Sequence, residues 1–232
     1  ERGQHRAAKL VERLPSRAGY LDSDEMDRLG LRVHRELQRL TEELQLGRRA
    51  EAALRPMVRQ VYTATAAPVR IVDVGCGLGF VLRWLAAYGD LGAPVELVGV
   101  DLNPVLAGEA GRLATGESLP CQFLVGDALA ADGVLSDGRR TLVISTGMLH
   151  HLTLDDVAVF FAAHQRHGVA GFAHWDIMPS PVATIGAWIF HRARMREPVS
   201  RHDGVMSARR AHPIEELAAT AREVAPGYAV AA

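Results

Sequence analysis

Between residues 24 and 46 the apolar positions recur every three or four residues: Met26, Leu29, Val33, Leu37, Leu40 and Leu44 align, with charged side chains between them. That spacing predicts an amphipathic helix whose apolar stripe needs a cover. Ser23 is placed to cap its start and Gly47 to mark its end. A second helix is expected from Arg48 to about Tyr62, carrying Leu54, Met57, Val58 and Val61, with a bend or restart at Pro56.

After Pro68 the period changes. Short β-branched or apolar runs at residues 70–74, 95–100, 121–125, 141–145 and 171–177 alternate with helical patterns at 80–88, 104–113 and 155–167. The last of these helices opens with the capping pattern Thr153-x-x-Asp156. Such alternation predicts an α/β fold, a Rossmann-like doubly wound parallel sheet with helices on both faces, behind an N-terminal helical extension. Residues 1–66 are the extension, a lid or an interface, and 67–232 the main domain. Beyond it, a helix is expected from Pro181 to about Arg194, no periodicity over 196–210, and a helix from near Pro213 to about Val224. Residues 227–232 have the composition to start a strand, and a further strand closing the sheet is expected to be missing.

Composition narrows the class. With 232 residues, 48% hydrophobic, 23% charged and a net charge of −1, the chain suits one packed domain plus an extension and gives no global attraction to nucleic acid or anionic membrane. The partner expected is a small molecule, with a homodimer as the other use for the N-terminal stripe. Cys76 and Cys121 are the only cysteines, which excludes a disulfide scaffold and a Cys-x-x-Cys pair and favours a cytoplasmic setting. The apolar stretch Val182 to Phe190 falls well short of the roughly 20 residues that span a bilayer, so it is expected to be buried or to line a pocket. Because the sequence starts at Glu1, its native beginning is expected to lie upstream.

The chemistry concentrates in Val72-Asp73-Val74-Gly75-Cys76-Gly77-Leu78-Gly79, between a strand and a helix. Glycines there let the backbone turn tightly and approach a ligand, and free amides at a helix start favour polar or anionic groups. Phe80 stands where a dinucleotide fingerprint has its third glycine, and no Lys-Ser/Thr pair follows, so nicotinamide and nucleoside-triphosphate binding are disfavoured.

This stretch resembles the signature of class I S-adenosylmethionine-dependent methyltransferases, in which the loop wraps the methionine moiety of the cofactor. The resemblance runs over about residues 67–180. It implies that Asp73, Gly75, Gly77 and Gly79 form the loop and that Asp101, ending Val98-Gly99-Val100-Asp101, holds the ribose hydroxyls. Asp127, with Ala128, then meets the adenine, and the segment from Ser145 to Leu152 lines the cofactor near its sulfonium. That segment lacks the Asn/Asp-Pro-Pro-Tyr/Phe motif of relatives that methylate amino nitrogens. The region from Arg196 to Pro213 is similar to bacterial small-molecule methyltransferases encoded beside polyketide-forming enzymes. The acceptor this implies is a phenolic or enolic oxygen of a secondary metabolite. Carbon methylation, another reaction of the same cofactor and a non-catalytic scaffold are the alternatives.

Three histidines are candidate bases, because an imidazole titrates near working pH. His150 is expected to face the cleft and His151 to cap or pack, with His202 further off in the chain. No His-Glu-x-x-His or comparable spacing is present, so no metal is expected.

Overall fold

The computed structural model describes residues 2–17, 19–130, 132–136, 138–180 and 182–232. Pro181, the expected start of a helix, lies outside them. The N-terminal part holds α1 (Arg2–Val11), a two-residue antiparallel ribbon of β1 (Ser16–Arg17) and β2 (Tyr20–Leu21), and the long helices α2 (Ser23–Glu43) and α3 (Leu46–Thr65). Asp22, not Ser23, caps α2: its backbone is extended and its carboxylate accepts from the Glu25 amide at 3.2 Å. Gly47 does not end that helix either. The chain turns at Gln45, which takes a left-handed conformation (φ 53°), and Gly47 sits in the first turn of α3, where a Cβ would meet the Trp84 ring at 2.3 Å. Helix α3 runs through Pro56 without a restart.

The main sheet has strands β3 (Val69–Val74), β4 (Val95–Asp101), β5 (Cys121–Val125), β6 (Thr141–Thr146) and β7 (Gly171–Trp175). All pair in parallel, in the order β5-β4-β3-β6-β7. Between them lie α4 (Phe80–Tyr88), α5 (Pro104–Gly116), the short α6 (Asp132–Leu135) and α7 (Leu154–Arg166), the last with both halves of the Thr153–Asp156 capping box in place. Alternate residues of β3 feed two cores: Val69 and Ile71 join Leu54, Val58, Leu82 and Ile144, whereas Val72 and Val74 join Val143, Phe160 and Phe161. Burial on both faces follows from helices covering both sides of a parallel sheet.

The chain enters at the central strand β3, winds outward through β4 to β5, and returns beside β3 as β6. A doubly wound sheet opens a crevice where the winding reverses, outside the C-terminal strand ends. The register brings those ends level: Asp73 pairs with Gly99 and Ile144, and Asp101 with Val125.

Three expectations for the C-terminal part are corrected. Residues 196–210, expected to be irregular, contain α9 (Pro198–Arg210), and its buried positions are Ser200, Gly204, Ser207 and Ala208. Those four follow helical spacing but are small or polar, so a search for apolar periodicity passes over them. Helix α8 (Ala183–Arg194), expected to be buried or to line a pocket, leaves Ile185, Trp188 and Ile189 exposed, with Trp188 lining a cavity. Helix α10 (Ile214–Val224) follows, and residues 227–232 form no strand. Tyr228 instead pins the tail, its hydroxyl donating to the carbonyls of His164 and Val169.

Candidate active site

A crevice of about 410 Å³ opens at the C-terminal ends of β3, β4, β5 and β6. Its floor is the loop after β3, where Gly75 and Gly77 have φ of 70° and 53°, values that disfavour any side chain. A Cβ at Gly75 would also sit 2.8 Å from the Met148 side chain. The amides of Gly75 and Cys76 donate to the Val100 carbonyl, which ties the loop to β4. Gly79 (φ 68°) ends the loop; it does not line the crevice, but packs against Phe123, whose ring a Cβ would meet at 2.2 Å.

Three carboxyl groups line the crevice from adjacent strand ends. Asp101 accepts from the Gly77 amide at 2.8 Å and the Asn103 amide at 2.9 Å, one bond to each oxygen, and this latches β4 to the glycine loop. Each of its oxygens keeps acceptor capacity for a ligand hydroxyl. Asp127 accepts from the Leu129 amide, and Ala128 lines the wall beside it.

Asp73 is different in kind. Only 1% of it is exposed and its Oδ1 has no hydrogen-bond partner. Burial, and then the neighbouring Asp101 charge, push its carboxyl up to about 8. A buried carboxyl with an unused oxygen at a ligand crevice fits a cationic ligand group, such as the ammonium of S-adenosylmethionine.

Opposite the loop, α2 supplies the roof through His34, Leu37, Gln38 and Thr41. The His34 Nδ1 lies 2.9 Å from the Gly30 carbonyl, so it carries the donated hydrogen. Its Cδ2 lies 3.3 Å from where a Gly77 Cβ would be. Sequence reasoning passed over His34, which flanks the apolar stripe of α2 and has no local motif to mark it.

The histidine pair after β6 is oriented in the reverse of the expected sense. His151 lines the crevice, while His150, 5% exposed, points away and pairs with Asp176 at 2.6 Å from its Nδ1. Asp176 also accepts from the backbone amides of His150 and Ile177. The two imidazoles are 4.2 Å apart between centroids, so His150 is the backing for His151. Burial, and then the neighbouring His150, lower the His151 pKa. Asp176 was also missed, though an acid just past a strand end is the signal that singled out Asp101 and Asp127.

Two further candidates lie elsewhere. Ser145 is fully buried in β6, hydrogen-bonded to His174 at 2.9 Å, and His202 lines a separate cavity beside α8. Among the described residues no group of His, Cys, Asp or Glu is arranged to hold a metal ion.

Residues 71–169 match the model of a family described as "Methyltransferase domain". Among curated proteins, the chain is 41% identical over 85 residues to the chloroplastic tocopherol O-methyltransferase of Arabidopsis thaliana, covering 36% of this chain and 23% of that one. It is 32% identical over 121 residues to a probable tocopherol O-methyltransferase of Oryza sativa subsp. japonica, covering 49% and 32%. The chain thus spans a third or less of those relatives' lengths. Among solved structures, the plantazolicin methyltransferase BamL, in complex with a triazolic desmethylPZN analog and SAH, aligns over 84% of this chain and 68% of its own with a TM-score of 0.56 and 13% identity, a likeness of fold. Over residues 71–169 the chain is therefore similar to a methyltransferase domain, on a parallel sheet of the order β5-β4-β3-β6-β7.

Proposed function

We propose that the chain is an enzyme that transfers a methyl group from S-adenosylmethionine to a small molecule, and that the accepting atom is a phenolic or enolic oxygen of a secondary metabolite. One observation carries the reading: Asp73, Asp101 and Asp127, from the ends of three adjacent parallel strands, meet the loop of Gly75 and Gly77 in one crevice. Bound S-adenosylmethionine supplies a methyl group on a positively charged sulfur. Asp73 would hold its ammonium, Asp101 its ribose hydroxyls, and Asp127 with Ala128 its adenine, the glycines allowing close approach.

The remaining tasks are placing the acceptor and removing its proton. Positioning accounts for the larger share, up to about 7 to 11 kcal/mol for well-oriented groups, and a base adds roughly 10² to 10⁴ in rate. His151 is the base in this reading: it lines the crevice, and its lowered pKa leaves it neutral at working pH, ready to take a hydroxyl proton. His150 and Asp176 act through it by fixing its ring. An oxygen acceptor is supported by the names of the curated relatives, which specify O-methylation, and by the absence of the amino-nitrogen motif after β6. The similarity of residues 196–213 to small-molecule enzymes beside polyketide-forming ones supports a secondary metabolite.

The test is calorimetric titration with S-adenosylmethionine, then a screen of phenols and enols with methyl-labelled cofactor. Asp101→Ala should abolish cofactor binding. His151→Ala should leave binding intact and lower kcat by about 10² or more. Label retained on carbon after mild cleavage of methyl ethers would overturn the oxygen assignment, and cofactor binding without any transfer would favour a scaffold.

A further inference from the structure

The outward face of α8 is apolar and open. Val182, Ile185, Trp188 and Ile189 succeed one another at helical spacings and are 71, 62, 51 and 57% exposed. On the other side of the helix, His191 is buried against Gly204 of α9, so the fold uses that side and leaves this one without cover. A cluster on one helix face differs from the singly scattered apolar residues of an ordinary surface.

Beside it lies a cavity of about 400 Å³, lined by Trp188 and by Lys9, Arg13, Arg192, Arg201 and His202. No carboxylate lines that cavity among the described residues. The Arg192 guanidinium lies 5.9 Å from the centre of the Trp188 ring, which joins the basic and apolar parts into one surface. With a net charge of −1 over the chain, the positive charge here is local.

We propose that this surface docks on an anionic lipid bilayer, with α8 lying in the interface plane, its apolar side chains among the acyl chains and a lipid phosphate in the basic cavity. A soluble phosphate would leave the four apolar side chains in water. A purely apolar partner would leave the cations uncompensated. An anionic bilayer meets both, and an exposed tryptophan flanked by arginine suits the headgroup boundary. No helix among the described residues is long and apolar enough to cross a membrane, so the association is peripheral. It amends the sequence-based expectation of no membrane partner, and it is independent of the methyl-transfer reading.

Flotation of the protein with vesicles of phosphatidylcholine, with and without phosphatidylglycerol, tests this. Partitioning is expected only onto the anionic vesicles, with a blue shift of Trp188 emission and weakening as salt is raised. Arg192→Glu or Lys9→Glu should weaken partitioning by roughly tenfold or more. The Ile185→Ser, Ile189→Ser double variant should abolish it while leaving the thermal melt and cofactor titration unchanged, since both positions are exposed. Equal binding to neutral vesicles would overturn the proposal. So would an inorganic phosphate titration that alone shifts Trp188 emission, or absence of vesicle binding together with self-association that the double variant dissolves.

Discussion

Two buried titratable side chains carry opposite pH signatures. Asp73 keeps its proton up to about pH 8 in the ligand-free fold, against an ordinary value of 3.8, so between those limits the folded state binds more protons than the unfolded one and stability falls as pH rises. Asp73→Asn should therefore stabilise the ligand-free protein at pH 8, by roughly 1 kcal/mol or more. The same change should weaken cofactor binding about tenfold or more and remove the rise of affinity with pH, up to about pH 8, that the raised Asp73 carboxyl implies for the wild type. Calorimetry and thermal melts across pH check both halves. His164 behaves in the other sense: burial lowers it to about 4 from 6.5, so stability present above pH 6.5 is lost as pH falls towards 4. Its Nδ1 lies 2.7 Å from the Phe160 carbonyl, but its Nε2 has no partner, and protonation there would place an uncompensated charge in the core. His164→Phe should flatten that acid limb, worth about 3 kcal/mol at most, in denaturant titrations.

At the scale of elements, close contacts and borrowed caps decide the packing. The start of α3 passes under Trp84 of α4, and Gly47→Ala would drive a methyl group into that ring. The expected loss is about 1 to 3 kcal/mol, read as a lower Tm, with Trp84→Leu on the same chain restoring part of it. Helix α9 has no side-chain cap of its own. Glu36 of α2 serves instead, accepting from the Arg196 amide at 2.7 Å and from the Glu197 amide. Burial pushes its pKa up, but those amides and the nearby Arg39 guanidinium outweigh burial and hold it below the usual range. Glu36→Ala should cost about 1 to 3 kcal/mol and speed hydrogen exchange over residues 196–210. Unchanged exchange there would show that α9 does not depend on this cap.

For the whole molecule, α2 is the element that joins the parts. It contacts α3, α5 and α9, its Gln38 accepts from Arg83 of α4, and its Arg35 pairs with Glu109 of α5. Arg32 pairs with Glu197 and Glu43 with Arg194. The ion pairs are partly exposed and contribute little each, so the buried Leu29, Val33 and Glu36 hold the helix in place. Because His34 stands over Gly77, deleting residues 1–45 should weaken cofactor binding as well as acceptor turnover. Titration and kinetics on the truncated chain decide it: loss of turnover with unchanged cofactor affinity would make α2 a lid over the acceptor alone.

The alternation of short apolar runs with helical patterns after Pro68 was enough to determine a doubly wound parallel sheet, because helix and strand periods are written locally. The glycine run from Gly75 and the acids at Asp101 and Asp127 were equally legible, since turn chemistry and strand ends are also local. Which of His150 and His151 faces the crevice was not, because Asp176, 26 residues later, captures the former. His34 reaches the glycine loop only through the path of α2 across the sheet. Helix α9 was hidden because its buried side chains are small and its cap comes from Glu36. The open face of α8 was read as buried or pocket-lining because an apolar helix does not say in its sequence whether anything covers it. Period and turn chemistry depend on neighbours in the chain, whereas burial, pairing and orientation depend on residues the fold brings together from far apart.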